Sequence, residues 1–121
     1  MNLQNYEYKT EPYQHQTDTL ELSLDSPLFA LFLEMGLGKS KILLDNAALL
    51  FEHQKISGLL IVSPKGNLPN WDVHEINKHL PDRIQRNVLV WQPNHTQRWT
   101  TAYKKMVEED STGVLNIFLV N

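Results

Sequence analysis

Leu33-Glu34-Met35-Gly36-Leu37-Gly38-Lys39-Ser40 stands between an apolar run, Leu28 to Leu33, and a stretch in which Ile42, Leu43, Ala47, Leu50 and Phe51 recur three or four residues apart. A short continuous apolar run suits a strand buried on both faces, and the spacing that follows predicts a helix from Lys39 to about His53. A strand that ends in Gly-x-Gly-Lys-Ser and opens a helix is a phosphate-binding loop. Its glycines let backbone N–H groups curl round phosphate oxygens, and the helix N-terminus adds a favourable dipole. Lys39 supplies a cation and Ser40 a hydroxyl for Mg²⁺. The full pattern has one more glycine five positions before Gly38, where this chain has Leu33.

Outward from this stretch, strand and helix patterns alternate. Residues 1–11 form a polar lead-in carrying Tyr6 and Tyr8, and the domain proper is expected over 12–121. A short helix is expected to start after Pro12 and end before Pro27. Leu59-Leu60-Ile61-Val62 reads as a strand ending at Ser63-Pro64-Lys65-Gly66. Asn67 and Pro69 then suit the opening of a helix with Val73, Ile76 and Leu80 on one face. Val88 to Trp91 is a further strand, Thr96 to about Glu109 a helix with Trp99, Tyr103 and Met106 on one side, and Val114 to Val120 a last strand. Alternation of this kind predicts an α/β fold, a three-layer parallel sheet of about four strands with crossover helices.

Composition narrows the function classes. Eleven Lys and Arg against fourteen Asp and Glu give a net charge of −3, so overall charge lends no support to nucleic-acid binding. With no cysteine, disulfides and cysteine-based zinc sites are excluded. The N-terminus lacks the basic-then-apolar pattern of an export signal and no run is long enough to span a bilayer. An intracellular protein without a membrane partner is expected, cytoplasmic if bacterial or phage and nuclear if eukaryotic. His74 and His79 do not form a zinc helix motif, because five residues turn them about 140° apart on a helix.

Three stretches together resemble the N-terminal part of the first RecA-like lobe of superfamily-two helicases, within them the Swi/Snf-type DNA-dependent ATPases. Glu34-Met35-Gly36-Leu37-Gly38-Lys39-Ser40 is similar to the family's Asp-Glu-Met-Gly-Leu-Gly-Lys-Thr, with Leu33 for the aspartate and Ser40 for the threonine. Leu60 to Trp71, with its proline-ended strand and Asn70-Trp71 pair, is similar to motif Ia. Tyr13-Gln14-His15-Gln16 lies where the family has its adenine-reading Q motif. The resemblance implies a P-loop NTPase lobe binding ATP and Mg²⁺ through Gly36, Leu37, Gly38, Lys39 and Ser40. Lys39 would sit on the β/γ oxygens and Ser40 on the metal. Gln16 is preferred over Gln14 for adenine because it places Leu20, rather than Asp18, at the first apolar position of the helix. Ser63 and Lys65 become candidate contacts to the backbone of duplex DNA, and Trp71 a packing residue.

The family's hydrolytic acids lie in an Asp-Glu-x-His/Asp motif on a later strand, and no such motif occurs in these residues. The lobe is therefore expected to be incomplete, to need the remainder of the helicase core or a partner to complete its sheet, and to be inactive alone. Two alternatives stay open: another P-loop NTPase, such as a small-molecule kinase, and a non-catalytic lobe kept for an interaction.

Overall fold

A computed structural model describes residues 3–26, 38–108 and 112–121. The expected strand over 28–33, together with Gly36 and Leu37, lies outside the described residues. Helix α1 spans Gln14–Ser23 and α2 spans Lys39–Glu52. Strand β1 covers Gly58–Val62, β2 Gln85–Val90 and β3 Val114–Val120. Helix α5, Gln97–Glu108, joins β2 to β3.

The segment between β1 and β2 is helical but uneven. A 3-10 turn at Lys65–Asn67 leads into α3, Leu68–Asn70, then a π turn at Trp71–Glu75, then α4, Ile76–His79. Arg86 closes its C-terminal end, donating to the carbonyls of Leu80, Pro81 (2.6 Å) and Ile84 (3.1 Å). A guanidinium there satisfies carbonyls that the end of a helix leaves without partners.

The three described strands form a parallel sheet in the order β1-β3-β2. β3 is central, and its alternation sorts the layers. Leu115, Ile117 and Leu119 are fully buried and join Ile42, Leu44, Leu49, Ile76 and Leu80 in one core. Asn116 and Phe118 point the other way. The Asn116 amide accepts from Asn87 (3.2 Å) and donates to the Met106 carbonyl of α5 (3.3 Å), while Phe118 meets Tyr103 edge-on. With α2 and α4 on one face and α5 on the other, the protein is a three-layer α/β structure with a parallel sheet, consistent with an incomplete RecA-like lobe.

Residues 3–12 lie across the helical layer. Tyr6 is buried in the core and its hydroxyl donates to Asp45 (2.8 Å). Lys9 pairs with Asp82 (2.6 Å) and donates to the Asn77 carbonyl, and the Thr10 hydroxyl bonds the His79 ring (2.8 Å). Arg83 reaches back to the Glu7 carbonyl (2.9 Å) while holding Glu52. The polar lead-in is thus a strap over α2 and α4, pinned by residues far along the chain.

β1 has one neighbour among the described residues, so its other edge is unpaired there. Leu60 and Val62, on the α5 side of the sheet, are 63% and 68% exposed. α5 covers β2 and β3 but leaves these two side chains open.

Candidate functional site

Gly38 sets the geometry at the start of α2. Its φ of +75° and ψ of +40° are left-handed, a conformation that costs an L-residue with a Cβ about 1–2 kcal/mol. A Cβ at this position would also stand 2.1 Å from Nε2 of Gln16, far inside contact distance. Both backbone and space therefore require glycine.

Helix α2 then begins at Lys39 with no capping side chain and no acidic residue in its first turn. The amides of a first helical turn have no intrahelical acceptors, and the dipole places partial positive charge on them. Lys39 is exposed at this end and Ser40 is half-buried. Amides, a cation and a hydroxyl thus gather at one helix end, with no acidic residue in the helix's own first turn, which is a chemistry suited to a phosphate group and a divalent cation.

Gln16 connects α1 to this end. Its Oε1 accepts from the Tyr13 N–H (2.8 Å), a reciprocal cap of the kind that stabilises helix starts, and its Nε2 donates to the Gly38 carbonyl (3.3 Å). The side chain is buried. Gln14 is exposed and bonds Asp18 one turn along the same helix (2.8 Å). Of the two glutamines, the fold brings Gln16 to Gly38. A side-chain amide offers two donor hydrogens and two acceptor lone pairs, so the bonds Gln16 makes to the described residues use one of each.

One turn deeper, Lys41 and Asp45 form an ion pair at 2.8 Å with both side chains almost wholly buried. The Lys41 ammonium lies 4.9 Å from the centroid of the Tyr8 ring, and Tyr6 meets Tyr8 edge-on at 4.9 Å. Burial pushes the Asp45 carboxyl above its ordinary range, against the lowering effect of Lys41 and the Tyr6 hydroxyl. Burial also raises the Tyr6 phenol, reinforced by the Asp45 charge. Sequence reasoning missed this cluster. Its one signal was a Lys and an Asp four apart on a helix, which ordinarily marks a solvent-facing pair.

The second region is the carboxyl edge of the sheet, where ligands of open parallel sheets are received. Ser63 follows β1 there, buried, its N–H donating to the Val120 carbonyl (2.9 Å). Lys65, two residues on, is exposed on the 3-10 turn. The two candidates are close in the chain, but only the lysine is open to solvent. Trp71 is half-buried and packs against the core, whereas Trp91 follows β2 and is 45% exposed.

A family model described as SNF2-related domain matches residues 26–116. Searches of curated proteins and of solved structures gave no significant match.

Proposed function

Because this chain belongs to the SNF2-related domain family, we propose that it is the ATP-binding portion of a DNA-dependent ATPase of the Swi/Snf type. The observation that carries the proposal is the left-handed Gly38 opening an uncapped α2 at Lys39 and Ser40. Backbone amides of Gly36, Leu37 and Gly38 would hold the phosphates, Lys39 their charge and Ser40 the Mg²⁺. Gln16 would meet the adenine edge. Bound Mg-ATP supplies the phosphoanhydride whose cleavage powers such an enzyme. Asp45 is committed to Lys41 and Tyr6, and it takes no part at this end of the helix.

Duplex DNA would approach the carboxyl edge of the sheet, with Lys65 as the exposed contact and Ser63 supporting its loop. The edge of β1 that has no partner among the described residues, with Leu60 and Val62 open beside it, is where further strands of the helicase core, or of a partner, would complete the sheet. The protein would act inside the cell, in the cytoplasm of a bacterium or a phage-infected cell or in a eukaryotic nucleus.

Titration of the 121-residue chain with a fluorescent ATP analogue and Mg²⁺ tests the nucleotide site. Lys39→Ala should remove binding while leaving the circular dichroism spectrum in place; unchanged affinity would reject the assignment. ATP should outcompete GTP, and indifference between them would favour another kind of P-loop NTPase. Turnover by the chain alone should stay at background with or without DNA, and steady DNA-stimulated hydrolysis would overturn the expectation that its acidic motif lies elsewhere.

A further inference from the structure

From Trp91 through Val107 the chain carries Arg98, Lys104 and Lys105 and no Asp or Glu, although the protein as a whole has a net charge of −3. The same segment builds a column of rings. His95 stacks on Trp99 at 4.0 Å with 12° between planes, and Trp99 stacks on Tyr103 at 5.4 Å with 8°. Trp91 stands perpendicular to both His95 and Trp99, at 4.5 and 5.5 Å. The indole N–H of Trp99 donates to the Val90 carbonyl (2.8 Å), which fixes the middle ring to the end of β2.

The outer members remain open. His95 is exposed, Trp91 is 45% exposed and Tyr103 41%. Arg98 and Lys105, both exposed and seven apart, fall on the same flank of α5, about 100–120° round from Trp99. The Trp91 N–H donates to the Leu119 carbonyl as the Ser63 N–H does to Val120, so Trp91 and the Ser63–Lys65 turn stand on either side of the end of β3.

We propose that the His95–Trp99–Tyr103 column, with Trp91 standing edge-on beside it, is a stacking platform for unpaired bases of a single-stranded nucleic acid, with Arg98 and Lys105 taking its phosphates. A flat aromatic ligand extends a column of parallel rings at no cost in reorganisation, and each stacked base contributes about 1–3 kcal/mol. The occupant carries negative charge. Perpendicular tryptophan and histidine rings also suit a quaternary ammonium ion, but the charged side chain within the ring-bearing stretch 91–103 is the cation Arg98, and the first carboxylate of α5, Glu108, comes only beyond the rings, one turn past Lys104 and Lys105. The platform uses neither the nucleotide loop nor Lys65, so it stands or falls apart from the ATPase proposal.

Fluorescence titration of the 121-residue chain with a labelled oligothymidylate, and with an abasic oligomer of equal length, tests it. Oligothymidylate should quench tryptophan emission and bind about tenfold or more tighter than the abasic chain, which offers the same phosphates without bases. Trp91→Ala and His95→Ala should each weaken binding about fivefold or more, and Trp91→Phe should retain most of it. Arg98→Gln and Lys105→Gln should each lower the salt dependence by about 0.7 in log–log slope. Equal affinity for the two oligomers would leave only charge attraction and overturn the proposal. So would no binding, or a folded Trp91→Ala protein that binds as the parent does. Loss of duplex binding in Lys65→Ala with oligothymidylate binding intact separates the two surfaces.

Discussion

The side-chain amide of Gln16 donates to the main-chain carbonyl of Gly38, 22 residues away, and stands where a Cβ on that residue would be. The glutamine fills the space that glycine vacates. The helix start at Gln14 and the helix start at Lys39 are thereby fixed to each other by one side chain.

Gly38→Ala should destabilise the protein by about 2–4 kcal/mol, from left-handed backbone strain and displacement of the amide. Gln16→Ala should cost about 1–2 kcal/mol, since it removes a cap and one further hydrogen bond. The double variant should lose less than the sum, because without the glutamine the new methyl group has room. Urea denaturation of all four proteins measures the coupling, and strict additivity would show that the two residues do not share this space.

Asp45→Ala should destabilise by about 3–5 kcal/mol, because it leaves the Lys41 ammonium buried without its partner. Replacing both residues by Lys41→Met and Asp45→Leu should recover most of that loss, since a buried pair gains little beyond the cost of its own desolvation. Tyr6→Phe, which removes one hydrogen bond to the carboxylate, should cost about 1.5–3 kcal/mol. Melting temperatures compared across the set would separate the pair's own contribution from the penalty of breaking it.

Burial lowers the His79 imidazole from its ordinary range, opposed by Glu75 at 3.6 Å and assisted by Lys41 and Lys78. A group with a folded pKa below its unfolded one stabilises the fold above the unfolded value, about 6.5, and that contribution is lost as pH falls through the folded value. Melting temperature should therefore decline as pH falls below about 6.5. His79→Gln keeps a partner for Thr10 and should flatten this slope; an unchanged slope would assign the effect to other groups.

Leu60→Thr and Val62→Thr together should raise the concentration at which the chain stays monodisperse by light scattering, without lowering its melting temperature. Both side chains are exposed beside an edge that has no partner among the described residues, and threonine keeps strand preference while removing apolar surface. A drop in stability would show instead that they are packed in solution.

Most of the architecture was legible from periodicity. β3 lies where it was expected, and α2 and β1 match to within a residue or so, because apolar runs bounded by Gly and Pro leave few alternatives. The register argument that linked Gln16 with Leu20 matches two buried positions one turn apart. What was not legible depends on distant partners. Tyr6 and Tyr8 sit in a polar stretch, and nothing local shows that Asp45 and Lys41 await them 33 or more residues on. Trp91, Trp99 and Tyr103 have the spacing of core residues, yet they stand at the end of the sheet, where no further layer covers them among the described residues. Periodicity reports which residues share a face, and the extent of the neighbouring layer decides whether that face is buried.

The strap of residues 3–12 has a consequence for the order in which the protein can be made. Its anchors, Asn77, His79, Asp82 and Arg83, lie 68 to 76 positions downstream of the groups they hold. Residues 3–12 are made well before the groups that hold them, and until Arg83 has emerged the Lys41–Asp45 pair lacks the cover that makes it a buried one. Nascent chains halted before that point should keep α2 open to protease, and chains halted beyond it should close over it in one step.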